Sequence, residues 1–477
     1  MQTEETRGAG GPASFRAALR AHPTAALLLL AAAFGLRLAF IFLLPHSGSW
    51  AGDSRYYVTA ANLLAGHGYS WDLAAPYRPS MAGVPAYTLF IAAVYAVCGE
   101  RPDAVRVAQA GLDLLTCLLV AYVSFKLAPP RLRKRAASAS LAVYGLFSWF
   151  TLVWTTCLLT ETLTLFLLSL TLAFAARALE RDSPRAWAGA GLACGLSILT
   201  RPDSVLLLGA VALFLTVRVA RLRSRRAAAS AAAFCLVVPL VLAPWTLRNY
   251  VVFGVFEPLA NEYGCPRECY FPVGYLWWLR TWLRDETHFD YAFNPAWPPG
   301  GSRYYFDPEA LPRDAYDSEG ERRRVAALID RHNRAGYIAP DIDADFRALA
   351  YERIMRAPAA FFLRLPAYRA ASMLLTGFST SRPTYYVLLL RILSVLPIHV
   401  GAALAFAVWG RRRPLGVLLL VVATARLLFF AFHYAPETRY IVEVYLPLIS
   451  ACGVTAAWVW LRVSPLTHRY FGGRDVR

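Results

Sequence analysis

Charged residues are scarce in this chain. Asp, Glu, Lys and Arg make up 17% of its 477 residues, against roughly 25% in a soluble protein. That deficit leaves too little polar material to cover a water-exposed globule. Hydrophobic residues reach 57%, which excludes a disordered chain as well. Cysteine is sparse too, and its eight copies form no metal-ligand spacing. Cys117, Cys157, Cys194 and Cys235 lie in apolar runs, where a thiol behaves as a small packing group. The sequence carries no glycine-rich strand–turn–helix fingerprint for a nucleotide and no self-contained metal cluster. It also lacks the matching pair of broken helices that many transporters repeat. The class left is an all-α polytopic membrane protein.

What the chain does have is apolar runs with arginine between them. The runs cover residues 25–44, 103–127, 137–153, 158–178, 187–199, 205–219, 228–247, 386–408, 415–432 and 441–463. The net charge of +18 would suggest nucleic acid in a soluble protein. Here the arginines gather in short loops, so no nucleic-acid partner is expected. By the positive-inside rule the blocks at 131–135, 177–185, 218–226 and 411–413 belong on the cytoplasmic side. An even number of crossings between neighbouring blocks then requires that 84–98 and 361–375 do not span. Both are expected as re-entrant or interfacial helices on the outer side. The outcome is about ten spans, with eleven or twelve as the alternative count, and both termini cytoplasmic. Residues 25–44 read as a retained span rather than a cleaved signal. The expected organisation is a transmembrane module at 1–247 that includes an outer loop at 45–103, an outer region at 248–385, and C-terminal helices with a cytoplasmic tail at 386–477. The expected location is the plasma (inner) membrane.

The candidate chemistry falls on the outer side of this topology. The first outer segment opens with Gly52-Asp53-Ser54-Arg55-Tyr56-Tyr57 and continues through Asn62, His67, Tyr69 and Arg78. Glycine permits close approach and tyrosine offers a ring with a hydroxyl, so Tyr56, Tyr57, His67, Tyr69 and Arg78 are candidates for an acceptor or sugar pocket. Asp53 among them is a candidate general base. Glu161 stands beside apolar helix residues, where a carboxylate needs a partner or a polar cavity. Thr200-Arg201-Pro202-Asp203 joins two short runs. It reads either as a tight external turn or as backbone lining a cavity. Arg201, Arg248, His433 and Arg439 all fall at outer ends, a set suited to a phosphate headgroup. Arg37 lies inside the first span, as a structural pair or a lipid-phosphate contact. In the second outer segment Cys265 and Cys269 form either a small disulfide loop or two free thiols. The aromatic stretch 275–282 reads as a sugar-stacking or membrane-interface surface.

The ordered set resembles the GT-C glycosyltransferases that use a polyprenyl-phosphate-linked sugar, in particular the protein O-mannosyltransferase and aminoarabinose transferase group. The matching residues are Gly52-Asp53 with Tyr57, Asn62 and Gly66 to Tyr69; Arg78-Pro79; Thr160-Glu161-Thr162-Leu163; Thr200-Arg201-Pro202; Pro244-Trp245 with Arg248-Asn249-Tyr250 and Phe253-Gly254; and Arg439-Tyr440 with Pro447. Ser80 and Ser54 stand where the family often has a second proline and an acidic residue. The resemblance implies a GT-C fold and a catalytic role for Asp53, with Glu161 as the second acidic position. It implies that Arg201, Arg248 and Arg439 lie near the donor phosphate. It implies a lipid, glycan or protein hydroxyl as acceptor. Some members need a divalent cation and others do not, so Mg2+ or Mn2+ stays open. Two other functions compete: a transporter or lipid-linked sugar flippase, and a non-catalytic partner in polysaccharide assembly.

Overall fold

The computed structural model describes residue 15 and residues 23–43, 54–81, 83–259, 272–285, 307–336, 338–375 and 385–471. Asp53, Cys265 and Cys269 lie outside these, so the expectations placed on them are not addressed by the structure. Among the described residues all regular structure is helical.

Helix α1 (Pro23–Leu43) is apolar throughout and buries Ala33, Arg37 and Ile41. Arg37 is held by protein groups: Nε and Nη2 meet Asp113 Oδ2 at 2.8 and 2.6 Å, and Nη1 donates to Ala33 and Gly145 carbonyls. Tyr144 donates to the other Asp113 oxygen at 2.7 Å. A buried charge is tolerated among apolar helices when it is paired and hydrogen-bonded in this way, so Arg37 is a structural pair. Helix α2 (Ser54–Leu64) and α3 (Pro85–Cys98) follow. At 1.5 Å per residue α3 is about 21 Å long, short of the ~30 Å hydrocarbon core.

Helix α4 (Pro102–Leu127) runs to the basic block. Helix α5 (Arg133–Ala142) returns through a π-helical turn at Val143–Phe147, and the chain then bends by 59° into α6 (Trp149–Leu152). Next come α7 (Glu161–Arg181), α8 (Pro184–Ile198), α9 (Val205–Leu222) and α10 (Arg225–Phe253). Helix α8 packs between α7 and α10. Two glycines allow its close approach to α10: a Cβ on Gly191 would lie 2.8 Å from the Phe234 carbonyl oxygen, and one on Gly195 would lie 2.8 Å from the Val241 side chain. Small residues four apart are a common solution for helices that must pack tightly in lipid.

Three helices between the membrane-spanning runs form a unit of their own: α11 (Val273–Arg280), α12 (Glu319–Ala335) and α13 (Pro340–Arg356). Tyr275, Trp278, Leu279, Trp282 and Phe346 build its core. Asp343 is buried and accepts the Tyr275 N–H at 2.8 Å, satisfying the start of α11. The aromatic stretch is therefore core rather than the recognition surface expected from sequence, with only Trp277 of its rings exposed, at 43%. The apolar face of a short helix needs a partner, and α13 supplies it.

Helix α14 (Leu365–Leu375), α15 (Tyr385–Val408), α16 (Pro414–Phe432), a 3-10 segment at Thr438–Val444 and α17 (Tyr445–Phe471) complete the chain. Eight described helices are long and apolar enough to cross a membrane, and the bent α5–α6 pair makes a ninth. That count of eight to nine fits the expected ten approximately. Helix α3 is not among them, in line with the ten-run reading. The protein is a multi-pass membrane protein.

The basic loops converge at one end of the bundle. Lys126 meets Glu180 at 2.6 Å, Arg218 meets Asp182 at 3.0 Å, Arg226 donates to the Asp182 carbonyl, and Arg413 donates to the Leu127 and Ala128 carbonyls. The starts of α7 and α9 and the ends of α8, α10 and α16 therefore meet at the opposite end.

Candidate functional site

That opposite end holds a cluster of charges drawn from three parts of the chain. Pro202 has no N–H to continue α8, so the helix stops and turns through a 3-10 segment at Pro202–Ser204 into α9. The Leu199 carbonyl freed by this stop accepts the Ala86 N–H of α3 at 2.8 Å. Arg201 points from the turn into the bundle. Its Nη1 donates to Glu161 Oε1 at 2.9 Å and lies 3.9 Å from Glu443 Oε1, and its Nε lies 3.3 Å from Asp203 Oδ1. Arg426 of α16 closes the network, with Nη2 at 2.9 Å from both Asp203 Oδ2 and Glu443 Oε1 and with Nε donating to the Tyr440 carbonyl.

The 3-10 segment at Thr438–Val444 presents the remaining members. Arg439 pairs with Glu437. The Tyr440 ring has the Arg201 guanidinium 5.4 Å from its centroid and that of Arg439 at 5.1 Å. Glu161, Arg201, Arg426, Glu437 and Glu443 are all buried. Four carboxylates (Glu161, Asp203, Glu437, Glu443) thus face three arginines (Arg201, Arg426, Arg439). Glu161 Oε2 and Glu443 Oε2 are buried and accept no hydrogen bond among the described residues. Such oxygens have capacity for an incoming donor group.

The structure therefore brings Glu161, Arg201 and Arg439 together, with His433 at the edge. The His433 ring centroid lies 6.1 Å from that of Tyr440. Its Nδ1 accepts the Ala435 N–H at 3.2 Å. Burial pushes its pKa down to about 4, so this histidine is neutral at ordinary pH. Arg201 and Arg439 are engaged by carboxylates rather than open to a phosphate.

Arg248 belongs to a second group. It donates to the Ser80 carbonyl at 2.7 Å and to Asn249 Oδ1 at 2.9 Å. The rings of Tyr69, Trp245 and Phe253 surround its guanidinium at 5.0 to 5.4 Å, so it fastens the loop between α2 and α3 to α10. Burial raises the Tyr69 hydroxyl to about 12. Tyr56 packs edge-on against Tyr87 at 5.2 Å. Tyr56 and Tyr57 border an apolar patch of Ala60, Tyr87, Ile91, Leu158 and Leu163 that joins α2 and α3 to the start of α7. His67 stacks on Tyr77 in the exposed part of the loop, and Arg78 is 81% exposed beside Asp72. Neither joins the charged cluster.

Sequence reading missed Arg426 and Glu443 and did not single out Asp203. Each is a charge within or beside an apolar run, which is the available signal. Among the described residues no three His, Cys, Asp or Glu side chains are grouped to hold a metal ion. The carboxylates at the site already carry arginines, whose positive charge opposes a second cation. That donor set does not fit a divalent ion.

Fold and site together define a polytopic membrane protein with a buried carboxylate–arginine centre at the end away from its basic loops. Residues 78–245 match the dolichyl-phosphate-mannose-protein mannosyltransferase family. The archaeal oligosaccharyltransferase AglB from Archaeoglobus fulgidus, solved with an inhibitory peptide and a dolichol-phosphate, superposes with a TM-score of 0.53 at 13% identity, over 94% of this chain and 52% of its own. ArnT from Cupriavidus metallidurans, solved with undecaprenyl phosphate, aligns at 16% identity over 93% of this chain and 80% of its own, with a TM-score of 0.39. The chain spans about half the length of the oligosaccharyltransferase. No curated protein sequence matches. The fold is GT-C, as the sequence resemblance implied.

Proposed function

We propose that this protein is a membrane glycosyltransferase. It moves a sugar from a polyprenyl-phosphate-linked donor to a hydroxyl on a lipid, glycan or protein, at the extracytoplasmic face of the plasma membrane. The observation that carries the reading is the buried cluster of Glu161, Arg201, Asp203, Arg426 and Glu443 at the bundle end away from the basic loops, within a fold shared with an oligosaccharyltransferase solved with a dolichol-phosphate. Burying that many charges among apolar helices is costly, and functional centres are where such cost is retained. With the basic loops cytoplasmic, both termini are cytoplasmic and the cluster faces outward.

The chemistry asks little of the protein. The bond between the anomeric carbon and the phosphate oxygen breaks, and the acceptor oxygen bonds to the same carbon. The hydroxyl proton goes to a carboxylate and the polyprenyl phosphate leaves. Asp53, one residue before α2, is the proposed base, and Glu161 with its open Oε2 orients the acceptor. A single displacement inverts the anomeric centre. Positioning and charge stabilisation supply the rate. A dependence on Mg2+ or Mn2+ would need ligands beyond the described carboxylates, and titrating a chelator against the transfer rate decides it.

The test is a panel of polyprenyl-phosphate sugars presented to the purified protein in nanodiscs, with release of polyprenyl phosphate and labelling of hydroxyl acceptors as readouts. Donor-dependent release that fails in Asp53→Asn supports the reading. Movement of intact lipid-linked sugar across proteoliposomes, with no release from any donor, would establish the flippase alternative in its place.

A further inference from the structure

At the basic end of the bundle, away from the charged cluster, two turns far apart in sequence are fastened together. The turn between α15 and α16 reaches back through Arg413, whose Nη1 donates to the Leu127 and Ala128 carbonyls at 2.9 and 3.0 Å. Those carbonyls end α4 just before its turn into α5, so Arg413 satisfies a helix C-terminus. Arg133 at the start of α5 lies 5.6 Å from the centroid of the Phe125 ring, and Lys126 lies 5.3 Å from that of Tyr122. Helix α17 ends at the same junction. Its Trp458 packs edge-on against Trp409 of the α15–α16 turn with centroids 6.2 Å apart, and Arg462 lies 5.4 Å from the Trp458 centroid. Around the junction Arg131, Lys134, Arg135, Arg411, Arg412 and Arg462 are exposed.

The sequence supplies nothing to cancel this charge. Residues 114–160, 353–436 and 444–474, which contain both turns and the end of α17, include no Asp or Glu at all. The two acidic residues of the neighbouring loop are engaged elsewhere, Glu180 by Lys126 at 2.6 Å and Asp182 by Arg218 at 3.0 Å. The terminal stretches 1–22 and 464–477 hold six basic residues against three acidic, so they add to the excess. A rule that sorts basic loops to one side of a membrane needs only their number. It does not require that Arg413 be tied to a carbonyl 285 residues away in the chain, which fixes the cations of two turns as one surface. The rings say what that surface faces. Trp458 and Trp460 are exposed within one turn of Arg462, and tryptophan beside arginine at the end of a span marks the headgroup layer. Val459 and Val463 are exposed next to them, offering acyl chains an apolar wall.

We propose that this surface, built from the α4–α5 turn, the α15–α16 turn and the end of α17, binds the headgroups of anionic phospholipids of the surrounding membrane. Arg411, Arg412 and Arg462 take the headgroup from one side, Arg131, Lys134 and Arg135 from the other, and Trp460 packs on the upper acyl chains. Guanidinium suits phosphate oxygens and lysine adds a point charge. Basic clusters beside membrane helices gain affinity for anionic lipid with each added cation. The bound lipid also bridges helices from the beginning and the end of the chain, so it stabilises their packing. This surface lies at the opposite end from the charged cluster and does not depend on the glycosyltransferase reading.

The test uses the full chain in detergent micelles. Binding of phosphatidylglycerol and phosphatidylcholine is titrated by native mass spectrometry, and the melting point is read with and without each lipid. Phosphatidylglycerol is expected to bind more tightly and to raise the melting point, with both effects shrinking as salt is added. Replacing two surface cations together, Arg411→Gln with Arg412→Gln, is expected to lower its affinity about 10- to 30-fold, at roughly 5-fold for each charge lost. Arg411→Lys with Arg412→Lys keeps the charge and most of the binding. Arg221→Gln with Arg223→Gln removes the same charge from exposed positions of the α9–α10 loop and should change affinity less than about 3-fold. The melting point without lipid checks that each variant is folded. If the first pair fails that check, Lys134→Gln with Arg135→Gln on the other turn replaces it, with the same loss expected. Equal binding of the two lipids, or full phosphatidylglycerol binding in a folded glutamine pair, overturns the proposal. Equal losses from the two loops would show diffuse attraction without a site, and would overturn it too. Displacement of phosphatidylglycerol by polyglutamate would make the surface one for a soluble acidic partner and remove the lipid assignment.

Discussion

Arg426, not singled out from sequence, holds three groups of the site: Asp203, Glu443 and the Tyr440 carbonyl. Replacing it with methionine keeps most of the side-chain volume and removes the charge. Asp203 then loses a 2.9 Å partner and keeps only Arg201 at 3.3 Å, while Glu443 loses a 2.9 Å partner and keeps only Arg201 at 3.9 Å. The Tyr440 carbonyl loses its donor as well. Charged hydrogen bonds contribute about 1.5–3 kcal/mol each, and breaking a buried ion pair from one side costs about 3–5 kcal/mol. Arg426→Met should therefore destabilise the protein by about 3–5 kcal/mol, seen as an apparent melting point roughly 5–10 °C lower. The assay is thermal unfolding in detergent, followed by a thiol-reactive dye that reports exposure of Cys117, Cys194 and Cys452, all buried in the native state. Adding Glu443→Gln removes one of the stranded charges and should restore about half of the loss. A melting point for Arg426→Met within 1–2 °C of the parent would mean the cluster is solvated, and the argument from buried charge would fail with it.

Asp53→Asn should fold normally and lose about 10²- to 10⁴-fold in transfer rate; near-normal turnover removes it as the base, and a larger loss in Glu161→Gln at saturating acceptor moves that role to Glu161. Gly191→Ala puts a methyl 2.8 Å from the Phe234 carbonyl oxygen, so α8 and α10 must separate at about 1–3 kcal/mol, which the same melting assay reads; an unchanged melting point would show that the helices are loosely packed. His433 has a folded pKa near 4, below the ~6.5 of a free histidine. The unfolded chain therefore takes up the proton first as pH falls, and stability is lost between about pH 6.5 and 4; His433→Phe should flatten that part of the profile, and an identical acid slope in both proteins would refute the buried neutral ring. A cysteine at Ser224, beside the basic loop that starts α10, should resist membrane-impermeant thiol reagents applied from outside; ready labelling would invert the proposed orientation.

Much of the architecture could be read in advance because lipid imposes a simple code. The arginine blocks at 131–135, 177–185, 218–226 and 411–413 mark the loops that gather at one end, and Pro202 marks the stop of α8. The site was legible in part for the same reason. Glu161 and Arg201 stand out as charges in apolar surroundings, and they meet at 2.9 Å. Arg426 is likewise a charge inside an apolar run, but its partner Asp203 lies 223 residues away in the chain, so the pairing itself could not be read locally. The aromatic stretch at 275–282 misled for a related reason. Trp278 and Trp282 look like a recognition surface until α13 is known to cover them, and that packing is tertiary.

The brevity of α8 has a consequence for how substrates arrive. Fifteen residues span about 22 Å, whereas the hydrocarbon core is ~30 Å thick. If its basic end is held at the headgroups, the Arg201–Asp203 turn sits about 8 Å beneath the opposite surface. Its charges then lie at the depth of the upper acyl chains, not in the aqueous layer. A lipid-borne reactant at that depth need not be lifted out of its leaflet. It slides sideways into register, while a water-borne reactant has to descend from above. Under the proposed transfer reaction the two would approach along perpendicular routes, so neither would obstruct the other, and the spent carrier would drift back into the bilayer while the new product stayed in place.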